Sequence, residues 1–187
     1  MEKLKKIKRI LDPVKRKAYF LGLLTQEMEN KGFQPPIVVG GLSLELYTQG
    51  SYTTGDIDIK SPKEPLEEIL LSWGFTKKGR VWVNEEYDLY VDWLGSSLDE
   101  GIEAEKRLNI IQIGKKLKIY VLSIEDLIID RLNAVKWWDD KDGILWVRVL
   151  LEVKKALKEK IDYEYLKKRA KKEGILDLLE KILEESL

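Results

Sequence analysis

Leu4, Ile7 and Leu11 recur at helical spacing, which predicts a first helix broken at Asp12-Pro13. Pro13 suits the opening turn of a second helix, where a missing N–H leaves no hydrogen bond unmade. Phe20, Leu23, Leu24 and Met28 carry that helix to a stop at Gly32. Ile37-Val38-Val39 is a short β-branched run between Pro36 and Gly40 and predicts a buried strand. Gly40-Gly41 then predicts a turn, and Leu42 to Tyr47 a short helix. Asp56-Ile57-Asp58-Ile59 alternates strictly, so a strand here places both carboxylates on one face and both isoleucines on the other.

Pro65 predicts a helix start, with Leu66, Ile69, Leu70 and Trp73 on its stripe and a stop at Gly74. Phe75 to Lys77 and Val81 to Val83 predict a meander. Tyr87 to Trp93 alternates again, with Asp88, Tyr90 and Asp92 on one side. Ile110–Ile113 and Ile119–Val121 predict a hairpin around Gly114-Lys115-Lys116. Ser123-Ile124-Glu125-Asp126 has the form of a capping box and opens a helix lined by Ile124, Leu127, Ile128, Leu132 and Val135. Further helices are expected from about Ile144, from Asp162 and after Gly174. The plan is α+β: a mixed sheet flanked by helices over residues 1–122, then a C-terminal helical tail over 123–187.

Composition narrows the chemistry. The 187 residues contain neither cysteine nor histidine, which removes disulfides, thiolate nucleophiles, imidazole bases and zinc–thiolate sites. A metal site must be built from oxygen, and oxygen selects magnesium, manganese or calcium. Lys and Arg total 33 against 33 Asp and Glu, a balance that argues against a general nucleic-acid coat. No stretch nears the roughly 18 apolar residues of a membrane span, and the basic N-terminus lacks the apolar run of a signal peptide. A cytoplasmic protein without a membrane partner is expected.

The informative segment is Val38 to Ile59. A strand ending in Gly40-Gly41 ahead of a helix lets an anion approach backbone N–H groups closely, and the Ser43 hydroxyl adds a donor. Asp56 and Asp58, at i and i+2 on one strand face, stand about 7 Å apart and repel unless a cation lies between them. A phosphate cradle beside a metal dyad suits phosphoryl or nucleotidyl transfer, a chemistry that needs no histidine.

Gly40, Gly41 and Ser43 followed by Asp56-Ile57-Asp58-Ile59 resemble the signature of the DNA polymerase β-like nucleotidyltransferase superfamily. The separation of Gly41 from Asp56 is slightly longer than usual there. The resemblance implies a nucleotidyltransferase-like sheet and a third carboxylate on a later strand, with Asp92 the candidate and Asp88 the alternative. It also implies Mg2+, with Mn2+ as substitute, on Asp56, Asp58 and Asp92. Downstream, Asp126 to Ala134 and Trp137 to Asp142 resemble minimal nucleotidyltransferases of the abortive-infection toxin type. That resemblance implies a phosphate contact at Arg131 and a basic–acidic pair at Lys141-Asp142.

These expectations have plainer rivals. Trp137 and Trp138 read as core or helix-packing anchors, with base stacking as the alternative. Lys154, Lys155, Lys158, Lys160 and Lys167 to Lys172 read as a solvated helix face, or as a docking surface for an RNA acceptor. The leading expectation is transfer of a nucleoside monophosphate from an NTP to a hydroxyl of RNA, protein or a small molecule. The alternatives are a nucleotide-binding module without turnover, or a toxin controlled by an antitoxin-like partner.

Overall fold

The computed structural model describes residues 2–185 and has the α+β plan. Leu4 and Ile7 are buried three positions apart, a spacing that fits the three-residue turn of a 3₁₀ helix. Glu2–Arg9 is accordingly a 3₁₀ helix, and Leu11 beyond it is exposed rather than part of a continuing stripe. Asp12 then caps α1 (Pro13–Asn30): its carboxylate accepts from the Lys15 amide at 3.0 Å, and Pro13 occupies the first turn as expected.

In chain order the first unit continues with β1 (Ile37–Val38), α2 (Gly40–Tyr47), β2 (Ile57–Lys60) and α3 (Lys63–Ser72). It goes on through β3 (Thr76–Lys78), β4 (Val81–Asn84) and β5 (Leu89–Trp93). A short α4 (Ile102–Glu105), which the hydrophobic pattern did not mark, precedes β6 (Asn109–Ile113) and β7 (Leu117–Val121). The seven strands form one mixed sheet in the order β3-β4-β5-β2-β1-β7-β6. β2 runs parallel to β5 and antiparallel to β1, so it lies near the middle of the sheet. Its apolar face explains why: Ile57 and Ile59 are fully buried and join Phe20, Leu21, Leu24, Leu70 and Val91 in one core. Phe20 meets Trp73 edge-on at 6.1 Å between ring centroids, which locks α1 against the end of α3.

The chain divides into two compact units, Met1–Leu122 and Ser123–Leu187. The second is helical: α5 (Ile124–Trp138), α6 (Gly143–Ala156), α7 (Tyr163–Lys172) and α8 (Leu176–Glu185). The capping box at its start forms in part, the Asp126 carboxylate meeting the Ser123 hydroxyl rather than the backbone N–H. Ser123 Oγ accepts from the Asp126 amide at 3.0 Å and donates to Asp126 Oδ2 at 2.7 Å. Asp126 is buried, and its other oxygen accepts from Tyr165 Oη at 2.7 Å, tying α5 to α7. Glu125, also buried, pairs with Lys154 at 3.0 Å and accepts from the Asp162 amide at 3.1 Å. Among the described residues no helix is long and apolar enough to cross a membrane.

Candidate functional site

The two glycines are the first residues of α2 rather than a turn ahead of it, and Val39 holds the cap position in extended conformation. Gly40 has φ +56°, and a Cβ there would stand 2.9 Å from Asp58 Oδ2, closer than real Cβ contacts allow. Only glycine lets β2 bring Asp58 this near the helix start. The Gly41 amide donates to Asp58 Oδ2 at 3.0 Å. The Gly41 amide, which an incoming anion could use, is thus occupied by the protein's own carboxylate, which the partial positive charge of the helix start attracts.

Asp58 and Asp92 face each other in register across the parallel pair β2–β5. Burial pushes the Asp58 carboxyl up to about 6; the Gly41 amide opposes that shift, and the charges of Asp92 and Asp56 add to it. Asp56, exposed, lies immediately before β2. Asp92 is 5% exposed, its Oδ2 pairs with Arg80 Nη2 at 2.8 Å, and its Oδ1 has no hydrogen-bond partner among the described residues.

Asp88 sits in the turn before β5 with φ +54° and pairs with Arg16 Nη1 at 2.9 Å. Strand alternation alone left it level with Asp92, but only Asp92 is paired across the sheet with Asp58. Asp58 and Asp92 offer hard oxygen donors, and the unpaired buried Oδ1 of Asp92 suits a hard divalent cation. Among the described residues no three acidic side chains converge closely enough to hold an ion as they stand.

Ser43 has a different role from the one its position suggested. It is fully buried, and its hydroxyl donates to the Val38 carbonyl at 3.0 Å, so it presents nothing to a ligand. Arg131 lies on α5 in the second unit, where its Nε (2.9 Å) and Nη2 (2.5 Å) both donate to Asp130 Oδ2. Lys141 and Asp142 are exposed in the turn before α6, and the Asp142 amide donates to Asp140 Oδ1 at 3.1 Å. The reading of Trp137 and Trp138 as core anchors is corrected: they are 60% and 76% exposed. α5 stops one residue later at a left-handed Asp139, and the Lys136 ammonium lies 4.9 Å from the Trp137 ring centroid. The supposed basic face loses Lys154 to its buried pair with Glu125.

Three basic residues near the dyad escaped sequence reasoning. Arg80 occupies the turn between β3 and β4 and reaches Asp92; nothing local in the sequence marks that contact. Lys17 is buried in a pair with Glu45 and donates to the Thr54 carbonyl at 2.7 Å, which fastens the loop leading into β2. Here a signal existed, since Lys17 shares a helix face with Leu21, Leu24 and Met28, and a lone charge on an apolar face needs a buried partner. Arg16 lines a cleft of about 310 Å³ with Thr54, Asp56, Asp88 and Tyr90.

A family model described as "Nucleotidyltransferase of unknown function (DUF6036)" matches residues 21–185. No curated protein matches the chain.

Proposed function

Because the chain belongs to the nucleotidyltransferase family DUF6036, we propose that it is a metal-dependent enzyme moving a nucleoside monophosphate from an NTP to an acceptor hydroxyl, by the chemistry of the DNA polymerase β-like superfamily. One observation carries this reading: Asp58 and Asp92 stand in register on neighbouring strands at the start of α2. Clustered, partly desolvated carboxylates are unfavourable without a cation, and a fold that keeps them has a use for one.

Mg2+, or Mn2+ in its place, when bound neutralises charge on the triphosphate and acidifies the acceptor hydroxyl. Asp56, Asp58 and Asp92 are the residues to hold it. The Gly40 and Gly41 backbone, relieved of the Asp58 carboxylate, supplies N–H donors to a phosphate oxygen, and Arg131 is assigned a second phosphate contact by the family resemblance. Asp92 orients or deprotonates the attacking hydroxyl. The acceptor oxygen bonds to the α-phosphorus, the bond to pyrophosphate breaks, and the hydroxyl proton passes to the Asp92 carboxylate. The cleft lined by Arg16, Asp56, Asp88 and Tyr90 is where we place the acceptor.

Incubation with each α-labelled NTP, Mg2+ and either RNA, protein extract or small-molecule alcohols tests this. Label should move to one acceptor class, and Asp56→Asn or Asp58→Asn should abolish transfer while the protein still melts cooperatively and no lower than wild type. Wild-type transfer in both variants would overturn the assignment. Binding of Mg2+–NTP with no pyrophosphate release would favour a nucleotide-binding module instead.

A further inference from the structure

Asp92 has two neighbours across the sheet. On one side it faces Asp58 of β2; on the other it faces Val81 of β4, the residue after Arg80. Arg80 and Gly79 form the turn joining β3 to β4, and Gly79 adopts φ +66° to make it. From this exposed position, with its side chain 69% accessible, Arg80 extends to a carboxylate whose own side chain is 7% accessible.

The pair is therefore asymmetric. Asp92 is desolvated and its single charge is met by Arg80 at Oδ2, while the buried Oδ1 has no hydrogen-bond partner among the described residues. Arg80 is solvated and gives up little on leaving. It also borders a second cleft, of about 290 Å³, whose Glu67, Trp82 and Trp93 are already met by Lys77 and Lys63, so a released guanidinium stays in solvent.

We propose that Arg80 is a displaceable counter-ion of Asp92, which occupies that carboxylate until a divalent cation takes it and so sets the affinity of the site for metal. The proposal rests on the metal-dependent reading of Asp58 and Asp92. Arg80 Nη2 lies 2.8 Å from Oδ2 as an ion pair, and a cation drawing on that oxygen must compete with the guanidinium. Arg80 here is a positioning residue acting through Asp92. Its charge and reach keep the carboxylate compensated in the resting protein at the expense of metal affinity. Residues 76–93 form one β-meander, so Arg80 can swing without any change in strand pairing.

Mn2+ binding to the full chain without nucleotide, followed by the loss of free-ion signal in electron paramagnetic resonance, tests this directly. Arg80→Ala should bind Mn2+ between about three- and tenfold more tightly than wild type, the range expected for losing one competing ion pair with a buried partner. Arg80→Lys, which keeps charge but loses the planar fork, should fall between the two. In an Asp92→Asn background the effect of Arg80→Ala should vanish. Equal or weaker Mn2+ binding by Arg80→Ala, with binding still abolished by Asp58→Asn, would overturn the counter-ion role and leave the metal site standing. Absence of any Asp58-dependent Mn2+ binding in wild type and Arg80→Ala alike would sink both.

Discussion

Asp58 is the residue at which folding and chemistry pull in opposite directions. Its carboxyl ionises near 4 in a free chain, and burial, with the charges of Asp92 and Asp56, raises it to about 6 in the folded protein. Between those values the native state holds a proton that the unfolded chain has released, so this residue's contribution favours folding below pH 3.8 and is lost as pH rises through about 6. Above that range the penalty is up to about 3 kcal/mol before solvent screening reduces it. Asp58→Asn keeps an oxygen for the Gly41 amide but carries no charge. It should melt a few degrees above wild type at pH 8, with the gap narrowing toward pH 5. A variant no more stable than wild type at pH 8 would contradict the desolvation account. Mn2+ should close the gap at pH 8 by stabilising only the wild type, since a ligand that binds the native state raises its melting temperature. The place of Asp58 on its strand was legible in the sequence from strict alternation, whereas Asp56, expected on the same strand face, lies just outside β2. The resemblance put Asp92 ahead of Asp88 as the third carboxylate, but the register that pairs only Asp92 with Asp58 could not be read from the sequence. Arg80 was invisible for the same reason, since its contact with Asp92 depends on how β4 and β5 pair.

At the scale of elements, the strand–helix–strand unit β1–α2–β2 is where local sequence and tertiary demand agree most closely. The Ile37-Val38 run and the Ile57-Asp58-Ile59 alternation announced their strands, while the two glycines, expected as a turn, open α2 instead. Expectations failed where a pattern was too short to select one geometry: three apolar residues near the N-terminus allowed an α-helix, and the buried pair Leu4 and Ile7 instead packs on a 3₁₀ turn. Trp137 and Trp138 misled for another reason, since aromatic burial is an average over proteins and helix α5 ends just beyond them. The close approach of α2 to β2 makes a sharp prediction. Gly40→Ala meets both a left-handed φ and a 2.9 Å contact with Asp58 Oδ2, and should lose about 2 kcal/mol of stability together with metal binding. Gly55→Ala, close by in sequence with no atom within 4 Å of the added methyl, should stay within about 0.5 kcal/mol of wild type. Denaturant melts of the two variants make the comparison, and equal losses would show that the Gly40 contact is not the constraint.

For the whole molecule, charge distribution bears on the acceptor. Net charge is zero, with 33 basic and 33 acidic residues, and the basic side chains of the second unit are interleaved with acids. Lys155 pairs with Glu152 at 3.3 Å, Lys167 with Glu180 at 3.2 Å and Arg148 with Glu185 at 2.5 Å, while Lys154 is spent on buried Glu125. A surface that tracks an RNA backbone releases one condensed counter-ion for nearly every phosphate it neutralises, and this requires basic groups in excess along a continuous path. Helices whose lysines already face glutamates three or four positions away, or on the neighbouring helix, have little such excess to offer. Anisotropy of a labelled single-stranded RNA should therefore show no saturation below about 10 µM protein at physiological salt, and a shallow salt slope equivalent to roughly two phosphates or fewer. Tight binding with a steep slope would instead point to a basic path that these pairings do not predict, and would move RNA to the front as acceptor. Weak RNA binding combined with robust nucleotidyl transfer would direct the search toward acceptors small enough to reach Asp56 through the 310 Å³ cleft beside Arg16 and Tyr90, or toward a protein hydroxyl presented there on an extended segment.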